Sequence, residues 1–297
     1  MRSERGQGTV EWVGLVSALS LAMLTLVAAG VRVPGAPLAR ALADRILCAA
    51  SLADGCGDEP TLIAAYGSEV GELVRRHMPM LAFEPGSRAV PVDFRRCRSS
   101  ECGDSSAVGL IQQTDGRLPV SAFVHVVDCR ADAAEQTEEG GGDCSGDRAG
   151  NLYLQYWLYY ADSATLRGVP VAGKKGYHAD DWESVQFRIR PGGSVDERAS
   201  SHHGYNWFRS DNNWLSDAGI RPHDGWGPET HLLLVSGGSH AGAAVGNVGS
   251  GVAPYVPGER VHLIPLEPLA TAGGYEFAIS PPWLKDVWLD PEAEGTS

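Results

Sequence analysis

The sequence predicts a mainly β protein: an antiparallel β-sandwich behind an N-terminal transmembrane helix and a short helical lead-in. Two observations support this prediction. The run Trp12–Ala29 is uncharged over 18 residues, and from Met80 onward short alternating segments are separated by Gly, Pro and Asn. Short alternating segments at this spacing favour a sandwich over a fold of alternating strands and helices. The candidate strands are Ala122–Cys129, Leu152–Tyr160, Trp182–Ile189, His231–Ser236 and Arg260–Leu266.

The apolar run near the N-terminus has the length of a membrane span. At about 1.5 Å per helical residue, it nearly matches a hydrocarbon core of about 30 Å. A buried helix of a soluble domain is the alternative, but the run is apolar on every side and follows Arg2 and Arg5. These arginines favour an N-terminus on the cytoplasmic side.

The residues before the run, "RGQGTVEW", resemble the class III signal of type IV pilins and of pilin-like Tad/Flp proteins. The resemblance implies cleavage after Gly6 by a prepilin peptidase, which would leave Glu11 as the fifth mature residue. It also implies a single-pass protein of the bacterial cytoplasmic membrane with its C-terminal domain outside the cell. The helix would then be a membrane anchor or would pack against pilus subunits in a filament.

The rest of the chain divides into a linker over residues 31–58, a β-domain over 59–290 and a tail over 291–297, behind the signal helix of 1–30. The β-domain begins with a predicted amphipathic helix, Pro60–His77, because Pro suits a first helical turn. One face of that helix collects Ile63, Tyr66, Val70, Leu73 and Val74.

The cysteines indicate disulfides. The chain has six, all in its first half, and in an extracytoplasmic domain bridges are the expected state. Six cysteines allow 15 pairings, of which the local choice is Cys48–Cys56, Cys97–Cys102 and Cys129–Cys144. A zinc site is a weaker interpretation, since the sequence has no CxxC pair.

Charge limits the partners. The formal net charge is −13, and no block rich in Lys and Arg offers a surface for phosphates. Nucleic acid is therefore not expected as a partner. The expected partners are the membrane, a glycan or lipid ligand, and pilus subunits. An acidic surface also suits hard cations.

The segment "KKGYHADDWESVQFRIR" places a strand directly after a group of acidic residues and a His. Residues two apart in a strand share a face, so Asp181 and Glu183 point the same way as Val185, Phe187 and Ile189. The apolar face that seeks the core thus carries two carboxylates at its head. Buried carboxylates are unfavourable unless they are paired or bound to a cation.

The preceding strand also ends in a carboxylate, Asp162. If the two strands are neighbours, Asp162 joins His178, Asp181 and Glu183 in a set of three oxygen ligands and one nitrogen ligand. That mixture suits Mg²⁺, Ca²⁺ or Mn²⁺, with Zn²⁺ or Fe²⁺ also possible. The alternative is that these are solvated loop residues, or partners of lysines and arginines nearby. His203, His240 and Trp182 are further candidates to contact a ligand or to support the metal ligands, although a His in such a turn is more often structural.

Four segments in this order, "MPMLAFEPGSRAVPVDF", "LQYWLYYAD", "YHADDWESVQFRI" and "LLLVSGGSHA", resemble the vacuolar protein sorting-associated protein sixty-two family. One departure is Ser87, where the family's opening segment carries Glu. The third segment also resembles the heptad G-H-R-H-D-W-E of the necrosis- and ethylene-inducing peptide-like (NLP) proteins, with Tyr177, Ala179 and Asp180 as departures. The NLP resemblance implies a divalent cation held by Asp162, His178, Asp181 and Glu183.

These observations favour a membrane-anchored binding module that holds a divalent cation and a polar ligand, such as a glycan or a lipid head group. In the long loop, Trp207, Trp214 and Trp226 offer surfaces for stacking on sugar, with ordinary loop packing as the alternative. A metal-dependent hydrolase with His203 or His240 as acid or base is a second hypothesis. A minor pilin or pilus-tip adhesin is a third, and an NLP-like cytolysin a fourth. The residues leave any catalytic group unassigned.

Overall fold

The structure, a computed structural model, describes residues 59–84, 86–106, 113–130, 142–163, 178–201, 204–205, 225–244, 255–272 and 274–293. The predicted signal helix with Gly6 and Glu11, the pair Cys48–Cys56 and His203 all lie outside these residues. In the regions that are described, no helix is long and apolar enough to cross a membrane.

Strands dominate the fold. The helices are α1 (Glu59–His77), α2 (Ser100–Gly103), α3 (Glu267–Ala272) and α4 (Asp286–Leu289), with short 3-10 turns at Gly146–Arg148, Gly258–Arg260 and Pro282–Leu284. The strands are β1 (Met80–Phe83), β2 (Ser121–Asp128), β3 (Leu152–Ser163), β4 (His178–Ile189), β5 (Val195–Ser201), β6 (Gly204–Tyr205), β7 (Gly227–Pro228), β8 (Leu232–Val235), β9 (Gly242–Ala244), β10 (Tyr255–Val256) and β11 (His262–Pro265). All five predicted strands are present, with shifted ends.

The strands form two sheets. Within the described ranges, the smaller sheet has four strands in the order β10-β1-β8-β9, and the larger has seven, in the order β11-β2-β3-β4-β5-β6 with β7 paired to β5. One hydrophobic core takes side chains from both sheets, including Leu81 and Leu233 from the smaller and Tyr156 and Val185 from the larger. Both faces of β3 are buried, because α1 and the smaller sheet cover one face and the C-terminal segment covers the other.

The prediction of a wholly antiparallel sandwich is wrong in two places. β1 pairs with β8 in parallel, and β11 pairs with β2 in parallel. The remaining ladders between described strands are antiparallel. Alternation of side chains has the same period in both kinds of ladder, so the sequence pattern does not report strand direction.

The predicted helix is present, but its apolar face differs. Gly67 has a non-helical backbone (φ 78°, ψ 167°), which breaks the helix in two. Leu62 is buried, whereas Ile63, predicted on the buried face, is 40% exposed. A single 3.6-residue period therefore does not run through the whole helix, and the first half turns Leu62 rather than Ile63 inward.

Two of the predicted disulfides are confirmed. Cys97 is bonded to Cys102, and Cys129 to Cys144. The first closes the turn that leads into α2. The second ties the end of β2 to the segment before β3.

Candidate functional site

The register of β3 and β4 places the predicted carboxylates on one face. Asp181 lies opposite Tyr160, Glu183 opposite Leu158, and Asp162 opposite Ala179. Residues that face each other across a ladder project from the same side of the sheet. Asp162, Asp181 and Glu183 therefore share the face that packs on the smaller sheet, as strand alternation predicted, and their exposed fractions are 7%, 4% and 4%.

Asp181 stands between two imidazoles. His240 Nδ1 lies 2.8 Å from Asp181 Oδ2, and His178 Nε2 lies 3.9 Å from Asp181 Oδ1. His240 is buried and stacks on the Tyr160 ring, with centroids 4.0 Å apart and planes 9° apart. Its Nε2 atom has no hydrogen-bond partner among the described residues.

Glu183 is held by a serine on the next strand. Ser200 Oγ donates to Glu183 Oε2 at 2.7 Å, and the Ser184 backbone N–H donates to the same Ser200 Oγ at 2.6 Å. This chain of two hydrogen bonds fixes the rotamer of Glu183. It also links the carboxylate to β5.

The two carboxylates set the electrostatics of the site. Burial raises the pKa of the Tyr160 hydroxyl well above its usual value, and the charges of Glu183 and Asp181 raise it further. Burial lowers the pKa of Lys285, while the same two carboxylates oppose that shift. The nearby turn after α2 adds Asp104, whose pKa is raised by burial and also by the charge of Asp162. The site is therefore rich in buried carboxylates, and Lys285 is a cation close to two of them.

By chemical type, three carboxylates and one imidazole are ligands that suit a hard divalent cation with added waters, but the side chains do not converge on one point. Among the residues that the structure describes, no group of three or more His, Cys, Asp or Glu side chains is placed to hold a metal ion. The separation of 3.9 Å between His178 Nε2 and Asp181 Oδ1 exceeds a hydrogen bond. It is shorter than twice a metal–ligand distance of about 2.0–2.6 Å, so one cation can contact both atoms.

Two other predicted residues lie away from this face. Trp182 projects from the opposite side of β4, where it is fully buried against Phe94, Phe123 and Tyr159. Trp226 packs between the guanidinium groups of Arg188 and Arg198, at 4.6 and 4.3 Å from the ring centroid. Trp182 is thus a core residue, and the contacts of Trp226 with the two arginines favour the alternative of ordinary loop packing over a sugar-stacking surface.

Sequence reasoning missed Ser200 and Asp180. Ser200 gave no signal, because its contact with Glu183 depends on the pairing of β4 with β5. Asp180 did give one, since it is a departure from the NLP heptad, but its role becomes visible only in the backbone conformation of β4.

Comparisons with known proteins leave the family of this chain open. No family model matches it, and no curated sequence matches it significantly. Among solved structures, it is similar to NLPPya in complex with mannosamine, at 16% identity over 70% of this chain and 81% of the other, with a TM-score of 0.35. The complex of NLPPya with glucosamine is 18% identical over 66% of this chain and 73% of the other, with a TM-score of 0.32. A triple mutant of NLPPya is 15% identical over 67% of this chain and 73% of the other, with a TM-score of 0.33. At such TM-scores these overlays carry no conclusion about the fold or the ligand, and the site rests on its own geometry.

Proposed function

We propose that this domain binds a divalent cation through Asp162, His178, Asp181 and Glu183, and that the cation contacts a polar ligand such as a glycan or a lipid head group. Mg²⁺, Ca²⁺ and Mn²⁺ fit the oxygen-rich set better than Zn²⁺. The observation that supports the proposal most is the position of Asp181. One of its oxygens accepts a hydrogen bond from His240, and the other faces His178 across 3.9 Å.

The burial of Asp181 and Glu183 favours a bound cation. Asp181 and Glu183 are each 4% exposed, and two carboxylates on one face of a strand repel each other in a medium of low dielectric constant. A bound cation would neutralise that charge and leave coordination positions for hydroxyl or phosphate oxygens of a ligand. The alternative is that the Lys285 ammonium balances the charge of the two carboxylates. A measurement of bound metal distinguishes this alternative from cation binding.

Neighbouring side chains orient the two carboxylates of the proposed site. His240 keeps Asp181 in its rotamer, and Ser200 does the same for Glu183. The His178 side chain is 33% exposed, whereas that of Asp181 is 6% exposed. The site therefore opens toward solvent on the side of His178, which is where a polar ligand would enter.

The proposal also assigns a membrane anchor to the N-terminal apolar run. The uncharged run Trp12–Ala29 would tether the domain outside the bacterial cytoplasmic membrane, or pack in a pilus. In either position the domain would present its cation site to extracellular glycans or to lipid head groups.

Cation-dependent ligand binding tests this function. The full-length protein in detergent is applied to a glycan array and to beads that carry the phosphocholine or phosphoserine head group without acyl chains, in Ca²⁺, in Mg²⁺ and in EDTA. We expect binding to at least one of these surfaces that EDTA abolishes and that Asp181→Asn lacks. Binding that persists in EDTA and in Asp181→Asn would contradict the proposal, as would no binding under any condition.

A further inference from the structure

Asp180 has an unusual backbone conformation inside a strand. Its φ is 58°, in the left-handed region that non-glycine residues seldom adopt. The ladder with β3 continues on both sides of it, with Ala179 opposite Asp162 and Asp181 opposite Tyr160. The strand therefore contains one residue of left-handed backbone within the proposed ligand set. Such a conformation persists only where the surroundings stabilise it.

The surroundings of Asp180 provide that stabilisation. Arg98 Nη2 lies 3.0 Å from both of its carboxylate oxygens. The Tyr159 hydroxyl donates to Oδ1 at 2.6 Å, and the Ala278 backbone N–H donates to Oδ2 at 2.8 Å. Three donors from three separate segments thus hold one buried carboxylate, and we call this arrangement the Asp180 clamp.

Arg98 is itself well anchored. It follows directly after Cys97, which is bonded to Cys102. Its Nη2 atom also donates to the carbonyl oxygen of Glu276 at 2.6 Å, and its guanidinium lies 4.8 Å from the centroid of the Phe277 ring. The clamp therefore joins a disulfide-closed turn and the C-terminal segment to the start of β4.

The clamp explains a contact that a regular strand forbids. Residues three apart in an extended strand point to opposite faces, so His178 and Asp181 should lie on opposite sides of the sheet. Instead, His178 Nε2 is 3.9 Å from Asp181 Oδ1. The left-handed residue between them turns the backbone locally without shifting the register of β3 and β4, and this turn lets the His178 ring approach Asp181 Oδ1.

From this geometry we propose that Asp180 is a positioning residue for the cation site: the Asp180 clamp holds the backbone turn that brings His178 to Asp181. The inference rests on the proposed function, because it assigns Asp180 a role in cation affinity. Asp180 itself contacts no cation, since its carboxylate faces Arg98, Tyr159 and Ala278 on the opposite side of the sheet.

Calorimetric titration of Ca²⁺, Mg²⁺ and Mn²⁺ tests the inference on the full-length protein and its variants. We expect Asp180→Ala and Arg98→Ala each to raise the Kd at least tenfold. The double variant should have a Kd no higher than that of the single variant that binds less tightly. Adding His178→Ala to Asp180→Ala should change the Kd less than twofold, because His178 has already lost its position. Asp180→Asn, which tolerates the left-handed backbone, should fall between wild type and Asp180→Ala.

Asp290→Ala is the matched control. Asp290 also pairs with an arginine, Arg148, at the shorter distances of 2.6 and 2.7 Å, but at the other end of the β3–β4 pair. It should lower the Tm and leave the Kd unchanged. A Kd for both Asp180→Ala and Arg98→Ala within twofold of wild type would overturn the inference, as would additive effects of Asp180→Ala and His178→Ala.

A measurement without cation separates this inference from the proposed function. In NMR spectra of metal-free protein, the NOE between the His178 ring and the Asp181 side chain should be present in wild type and absent in Asp180→Ala. Loss of that NOE supports the positioning role even if no cation binds. Its persistence in Asp180→Ala overturns the role, whether or not wild type binds a cation.

Discussion

His240 Nδ1 lies 2.8 Å from Asp181 Oδ2, although the two residues are 59 positions apart in the chain. His240 follows β8 of the smaller sheet, and Asp181 belongs to β4 of the larger sheet. The site is thus assembled across the two sheets. This contact gives a physical reason for the charge at the head of β4, because a carboxylate there meets an imidazole from the facing sheet.

Replacing His240 by Ala should destabilise the protein. The variant leaves a buried carboxylate, Asp181, without its hydrogen-bond donor and opens a cavity beside the Tyr160 ring. Loss of a hydrogen-bond donor to a buried carboxylate, together with a cavity, typically amounts to about 3–5 kcal/mol. Urea denaturation followed by tryptophan fluorescence measures the change.

Ser239→Ala is the control for that experiment, since the adjacent side chain is only half-buried. It should change the free energy of unfolding by less than about 0.5 kcal/mol. If His240→Ala were as mild as Ser239→Ala, the contact with Asp181 would contribute little to stability.

Glu197 should make stability decrease as pH rises. Burial raises its pKa to about 7, even though the N–H and hydroxyl of Thr230 donate to Oε2. A group whose pKa is higher in the folded state gives stability that is complete below its unfolded value of 4.5 and is lost as pH rises through about 7. Between pH 4.5 and pH 8 we expect Glu197 to remove about 3 kcal/mol of stability.

Glu197→Gln checks this dependence in denaturation curves at pH 5 and pH 8. The amide does not titrate, so the variant should lose much less stability than wild type over that interval. Asp196→Asn is the comparison in the same strand. Burial raises the pKa of Asp196, but hydrogen bonds from Arg188 and Arg190 lower it overall, so its effect should appear only in acid. Equal pH dependence of wild type and Glu197→Gln would refute the assignment.

The two disulfides should differ in their contribution to stability. Cys97 and Cys102 are separated by 5 positions, and Cys129 and Cys144 by 15. In the chain-entropy model, these loops give about 2 and about 3 kcal/mol. Double Cys→Ser variants of each pair, compared by urea denaturation, should show the larger loss for Cys129–Cys144. The reverse order would mean that the anchoring of Arg98 outweighs loop entropy.

Glu292 should fasten the C-terminal segment to the larger sheet. Its carboxylate accepts hydrogen bonds from Tyr153 at 2.7 Å, from Trp226 at 2.7 Å and from Arg188 at 2.9 Å. Glu292→Ala removes the shared acceptor of Tyr153, Trp226 and Arg188, of which Arg188 still donates to Asp196, so we expect a loss of about 2–4 kcal/mol. Glu292→Gln retains two of the acceptor contacts and should lose less. A Glu292→Ala protein as stable as wild type, measured by urea denaturation, would contradict this role.

The sequence reveals most of the strands because buried strands leave long apolar or alternating runs, as in β3. It does not reveal that β1 and β8 run in parallel, because their pairing depends on the path of the chain between distant segments. The break at Gly67 was likewise invisible in the helical periodicity, since a glycine inside a helix does not by itself announce a left-handed conformation.

For the candidate site, strand alternation was sufficient to group Asp162, Asp181 and Glu183 on one face. It could not show that His178 reaches them, because alternation alone places His178 on the opposite side. That contact depends on the left-handed backbone of Asp180, which is stabilised by Arg98 from a distant turn. Tertiary contacts of this kind leave no periodic trace in the sequence.

The most direct measurement is the metal content of the purified full-length protein. Wild type, Asp181→Asn and the control Asp290→Asn are each dialysed against Ca²⁺, Mg²⁺, Mn²⁺ or Zn²⁺, passed through a desalting column and measured by inductively coupled plasma mass spectrometry. We expect about one divalent ion per chain in wild type and in Asp290→Asn, and none in Asp181→Asn. No bound metal in wild type, or an equal content in Asp181→Asn, would contradict a cation site at the head of β4. Lys285 and the hydrogen bonds from His240 and Ser200 would then account for its buried carboxylates.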